Sequence, residues 1–182
     1  MKNKKYRYSK IKYFFTYTIW KPFRAFGNLF FLAKYPFMWP THVWTGKRMF
    51  PSHTSYDLIP YGWQKAFGKN LLKDLRKAWI DSGKPKFYFN DIKEKYGTLR
   101  LYINQGTDAI YKVIHHYEHL SQYYCIECGE RAEYATEGWI EYLCEPCFMD
   151  YLCSDRFESD NELLKYLDEC KLEKNYLDND DV

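Results

Sequence analysis

Acid is missing from the first third of this chain. None of the 56 residues from Met1 to Tyr56 is Asp or Glu, while eleven are Lys or Arg. Long apolar runs are missing too. The longest stretch without a charge is the 12 residues from Tyr35 to Gly46, and mean hydropathy is -0.63. A membrane-spanning helix needs roughly 18 to 20 apolar residues, so none is expected. Lys12 and Lys21 bracket only eight uncharged residues with no small-residue cleavage site after them, which argues against a secretory leader and for a cytoplasmic protein. Cysteine, at six in 182 residues, is too sparse for a disulfide scaffold. No G-x-S-x-G, Walker loop or recognisable carboxylate pair is present, so the commonest hydrolase and NTPase signatures are absent.

Aromatic residues, by contrast, are plentiful: 19 Tyr, 13 Phe and 6 Trp give 21% of the chain, enough ring area for a real core. The length suits one compact domain with a small appendage. A net charge of +3 hides a gradient, because residues 155–182 carry ten acids against four bases. The organisation expected is α+β. A basic aromatic N-terminal arm covers 1–56, a helix–β-hairpin–helix core 57–122, a treble-clef-like zinc finger 123–153, and an acidic C-terminal helix and tail 154–182. In the arm, Pro22 is placed to begin a helix, and Phe23, Phe26, Phe30 and Ala33 then share one face. That face is expected to dock on the core; an interfacial membrane helix and a nucleic-acid-binding arm are the competing readings. Pro36, Pro40, Pro51 and Pro60 predict an irregular loop pinned by rings.

In the core, Trp63, Phe67, Leu71, Leu72, Leu75 and Trp79 recur every three or four residues, the mark of an amphipathic helix. Lys65, Lys69, Lys73, Arg76 and Lys77 fall mostly on its other side. Ser82-Gly83 and Pro85 end it. Residues 87–103 read as a hairpin turning at Tyr96-Gly97. A two-residue loop sets Ile92 opposite Leu101 and Lys93 opposite Arg100, with Gly97 supplying positive φ. Lys93, Lys95 and Arg100 then share a polar face, an arrangement that a three-residue loop would break. A second helix, about 107–122, buries Ile110, Val113, Ile114, Tyr117 and Leu120.

Cys125, Cys128, Cys144 and Cys147 form C-x2-C-x15-C-x2-C. Two intervening residues turn both thiolates of a pair toward one ion, and two such turns complete a tetrahedral shell. Two disulfides would need an oxidising compartment and hence an export signal. Four thiolates leave no open coordination position, so the expected Zn2+ is structural. A hairpin across Glu137-Gly138 and a short helix from Cys147 are expected around it. Cys153 is expected to pack near that short helix, and Cys170 on the apolar face of the final helix with Leu163 and Leu167.

Two other constellations suggest chemistry. His115-His116-Tyr117-Glu118-His119 matches H-x-x-E-H, the inverted metallopeptidase pattern, but no third ligand is identifiable and the bland reading is surface histidines. Glu94, between Lys93 and Lys95, is the best candidate acid/base, with Arg100 as anion holder. The competing account is a charged hairpin that neutralises Glu94 locally. No residue is assigned as catalytic.

Several strings, among them Tyr35-Pro36-Phe37, Trp44-Thr45-Gly46-Lys47, Gly62-Trp63-Gln64-Lys65-Ala66-Phe67-Gly68, Ile92 through Arg100, Tyr117-Glu118 with Leu120-Ser121, and Gly138-Trp139-Ile140, resemble a family of small proteins of tailed phages and prophages. The resemblance spans about residues 35 to 147 and implies a phage origin and a zinc site more than an activity. The family pattern has no counterpart of His115, His116 and His119. The leading expectation is a non-enzymatic protein binding nucleic acid or another phosphate-bearing partner, such as a nucleotide, in the host cytoplasm. The basic set Lys65, Lys69, Lys73, Arg76, Lys77, Lys93, Lys95 and Arg100 would make the contacts. The alternatives are an inhibitor of a host protein such as a defence component, and a hydrolase using Glu94 and Arg100.

Overall fold

The computed structural model describes residues 21–42, 44–152 and 160–172. It combines helices with two small antiparallel sheets, an α+β arrangement. The arm before Lys21, Cys153 and the tail beyond Leu172 lie outside the described residues. Among the described residues, no helix is long and apolar enough to cross a membrane.

The central helical rod starts at α2 (Tyr61–Trp63), passes through a π-helical turn (Gln64–Gly68) and continues as α3 (Lys69–Asp81). Its inner stripe is the expected one. Trp63, Leu71 and Leu75 are fully buried, with Phe67 and Leu72 close behind and Trp79 half-buried. The π turn, absent from the sequence reading, sits where Gln64 Nε2 donates to Ile59 O at 2.7 Å and Tyr56 Oη presses on Gly68. After Asp81 the chain reverses through Gly83 (φ +79°) and Lys84 (φ +58°), with Trp79 Nε1 donating to Pro85 O at 3.0 Å.

Strands β1 (Phe89–Lys95) and β2 (Thr98–Ile103) pair in the expected register, with Ile92 opposite Leu101 and Lys93 opposite Arg100. Tyr96 and Gly97 both have positive φ, 54° and 74°, as a tight turn matching the strand twist requires. Lys95 and Thr98 close the turn, Thr98 Oγ1 donating to Lys95 O at 2.8 Å. Ile92, Leu99 and Leu101 are buried on the core side.

A two-stranded sheet leaves an edge of unpaired amides. Helix α4 (Asp108–Leu120) and the turn after it answer those of β2. Leu101 N–H donates to Glu118 Oε1 at 2.8 Å and Leu99 N–H to Ser121 Oγ at 2.9 Å. Ser121 is fully buried and donates in turn to Glu118 O at 2.6 Å. Ser121→Ala should therefore strand the Leu99 amide and cost about 1–3 kcal/mol in denaturant unfolding. Glu118→Gln, which keeps a carbonyl acceptor, should cost less. The helix packs on both α3 and β2 through Ile110, Ile114 and Tyr117, and Tyr117 Oη donates to Asp74 Oδ2 at 2.6 Å.

The loop from Tyr35 to Pro60 is irregular but well anchored. Met38 and Phe37 are buried, and Phe37 stacks on Phe87 with centroids 4.9 Å apart. Helix α1 (Lys21–Lys34) docks on the core, yet not through the expected face. Phe26 and Phe30 are 64% and 70% exposed, and Ala33 is exposed too. The buried contacts are Ala25 and Leu32, with Phe31 against Tyr35 and Tyr56, and Asn28 Nδ2 donating to Pro51 O at 2.8 Å. The two outer rings settle edge-on against each other, 5.4 Å apart.

The C-terminal part carries β3 (Tyr134–Ala135), β4 (Tyr142–Leu143), α5 (Glu145–Leu152) and α6 (Asp160–Cys170). Thr136 shapes the loop between the strands, donating to Trp139 O at 2.6 Å and accepting from Glu141 N–H at 2.8 Å. Phe148 is the fully buried centre, stacked on Tyr134 at 4.5 Å and parallel to Tyr166 of α6 at 6.2 Å. Cys170 is buried on the apolar side of α6 near Leu163 and Leu167, as expected.

Candidate metal centre

The first cysteine pair lies on a tight knuckle. Gly129 N–H donates to Cys125 O at 2.9 Å, and Gly129 holds φ at +79°. The second pair begins α5, where Phe148 N–H donates to Cys144 O at 2.9 Å. The helix starts two residues before Cys147, so both ligands belong to its N-terminal end. Ile126 N–H donates to Tyr142 O at 3.1 Å, which ties the knuckle to the β3–β4 hairpin.

The four Sγ atoms lie within 4.8 Å of one another, and Cys128 and Cys144 approach to 3.3 Å. Bonds of about 2.3 Å in a tetrahedron would separate the sulfurs by about 3.8 Å, inside that spread. The four cysteines are thus positioned to bind a metal ion, and no other such group of donors occurs among the described residues. Burial pushes the Cys144 thiol up to about 11 and raises Cys147 further. Four crowded thiols with mostly each other as partners are a poor protonated arrangement. A divalent cation inverts that logic by deprotonating its ligands outright.

The knuckle is packed flat on the helical rod. Gly62 N–H donates to Ile126 O at 3.0 Å, and Trp63 Nε1 donates to Tyr124 O at 3.1 Å. A Cβ on Gly62 would stand 2.3 Å from Cys125 O, and one on Gly129 would stand 2.4 Å from Gly62 O. On the far side, Gly97 of the hairpin turn meets the Tyr142 ring and Ile140 of the finger.

The predicted basic residues divide into two groups. Lys65 is paired with Glu130 at 3.1 Å, and Lys93 with Asp91 while it overlies the Tyr102 ring. Lys95 overlies Tyr96, and Arg100 is half-buried. Lys69, Lys73, Arg76 and Lys77 remain exposed on one side of α3 and have no carboxylate partner among the described residues. Hairpin and helix are joined through α4, which packs on both.

Glu94 does not share a face with Arg100. It stands opposite Leu99, whereas Arg100 stands opposite Lys93 on the other side of the pleat. Its carboxylate accepts Gly97 N–H at 2.6 Å, which holds the turn. The H-x-x-E-H residues likewise form no donor cluster. One oxygen of Glu118 is taken by Leu101 N–H, and the other lies 3.4 Å from His115 Nδ1. Comparison with known protein families, curated proteins and solved structures finds no match.

Proposed function

We propose that this chain is a zinc-stabilised, non-enzymatic binding protein that engages nucleic acid through the exposed face of α3. The observation that carries the reading is the row Lys69, Lys73, Arg76 and Lys77, four cations on one helix side with no acid partner among the described residues. Such a row spans about two turns and offers the phosphate backbone sequence-independent contacts. Zinc is the metal best suited to four thiolates in a closed tetrahedral shell. The knuckle, hairpin and helix that bear the ligands support a treble-clef-like description. The resemblance of the Lys93–Arg100 and Gly138–Ile140 strings to phage proteins supports an origin in a phage and work in the host cytoplasm.

The test is binding of the full chain to a fluorescent 20-base-pair duplex at rising salt. If all four cations contact phosphate, log K should fall against log salt with a slope of about -3 to -4. The triple variant Lys69→Glu, Lys73→Glu, Arg76→Glu should lose measurable binding while retaining its metal. A flat salt response would overturn the reading. It would favour the alternative of host-protein inhibition through apolar surface, for which the exposed indoles of Trp44 and Trp139, 89% and 72% accessible, are the supporting observation.

A further inference from the structure

The loop from Pro36 to Arg48 and the chain entering β1 at Lys86–Tyr88 enclose a cleft of about 580 Å³. That is within the size range of small-molecule sites. Its walls are fixed by hydrogen bonds. Thr41 and Arg48 form an antiparallel bridge, and His42 N–H donates to Lys47 O at 2.9 Å. Thr41 Oγ1 donates to Phe89 O at 3.0 Å and Trp39 Nε1 to Met49 O at 2.9 Å. Gly46, at φ +60°, lies so close to Tyr88 Oη that a Cβ there would stand 2.3 Å from it.

The lining is charged on one side of neutrality only. Arg48 and Lys86 are its two ionised side chains, no carboxylate lines it, and neither cation is in an ion pair among the described residues. The Arg48 guanidinium is held over the Trp39 ring, 4.8 Å from its centroid, which orients the planar fork before any ligand arrives. The rest of the lining is flat or apolar, with the Trp39 and Tyr88 rings and Pro36 beside the Thr41 and Thr45 hydroxyls, while the Phe87 ring is buried against Phe37 behind them. A fork and a point charge suit a phosphate dianion, whose charge answers both cations. The rings suit a planar body.

We propose that this cleft binds a nucleoside monophosphate, with its phosphate between Arg48 and Lys86. The site is separate from the α3 surface and does not depend on it. Calorimetric titration of the full chain with AMP, GMP, CMP and UMP, with inorganic phosphate as the ring-free probe, tests it. At least one monophosphate should bind saturably and at least tenfold tighter than phosphate. Arg48→Ala and Lys86→Ala should each weaken that binding at least tenfold, and Arg48→Lys should restore only part. Should Arg48→Ala fail to fold, Lys86→Gln at its exposed position gives the same reading. The proposal is overturned if no monophosphate saturates the protein, if phosphate alone binds as tightly, or if folded cleft variants bind like the parent. Duplex binding without monophosphate binding would overturn the cleft alone, and the reverse outcome the α3 surface alone.

Discussion

Cys144→Ser should leave the protein without bound metal and without a cooperative unfolding transition at 25 °C. Cys125 and Cys144 are buried members of the same apolar cluster as Trp63, Phe148 and Leu143. The knuckle's backbone also supplies the acceptors for Gly62 N–H and Trp63 Nε1. Releasing the metal therefore loosens the floor on which the helical rod stands as well as the finger. Apparent zinc-binding free energy is about 10–16 kcal/mol in finger peptides at neutral pH, comparable with the whole stability of a domain, about 5–15 kcal/mol. Metal analysis of the purified chain should give one zinc per chain. A strong chelator should abolish the sigmoidal thermal transition in far-UV circular dichroism. Cys170→Ser is the control, because Cys170 is buried outside the cluster of four and its loss should leave the metal in place. An unchanged melting midpoint in chelator would show that the fold stands without the ion.

The parts legible from sequence are those where local chemistry leaves one solution. A two-residue loop at Tyr96-Gly97 fixes the register of the flanking alternation, so the pairs Ile92–Leu101 and Lys93–Arg100 were legible on that condition, and the structure meets it. Two C-x2-C units admit one grouping of donors. Helix stripes such as Leu71, Leu72 and Leu75 were legible because burial there follows periodicity. What stayed hidden depends on partners far along the chain. Nothing near Lys65 announces Glu130, 65 residues away, and nothing near Ser121 announces the Leu99 amide. In α1 the expected face was drawn through the largest rings, whereas docking selected Leu32 and Phe31 and left Phe26 and Phe30 outside. Glu94 reads as a candidate base in one dimension. In the pleat it turns to the opposite face from Arg100 and holds the Gly97 amide.

Gly62→Ala should cost about 3 kcal/mol or more. The added Cβ would meet Cys125 O at 2.3 Å, Ile126 O at 2.4 Å and the Ile126 carbonyl carbon at 2.6 Å. All three are backbone atoms of the metal knuckle, so no rotamer change relieves the clash. Overpacking alone costs about 1–3 kcal/mol, and forcing the backbones apart also breaks the bond from Gly62 N–H to Ile126 O, about 1 kcal/mol more. Two other glycines calibrate the effect. Gly83 has open space around it but φ +79°, so Gly83→Ala should cost about 1–2 kcal/mol from backbone strain alone. Gly27 is exposed within α1 with nothing near its Cβ position, so Gly27→Ala should stabilise by about 0.5–1 kcal/mol through helix propensity. Denaturant unfolding of the three variants gives the ranking. A competition assay with a chromogenic zinc chelator reads the second consequence: Gly62→Ala should weaken metal retention, because the displaced segment carries Cys125, while the other two should not. A neutral Gly62→Ala would mean that the rod and the knuckle are not in backbone contact, and that the finger holds its metal independently of the helix beneath it.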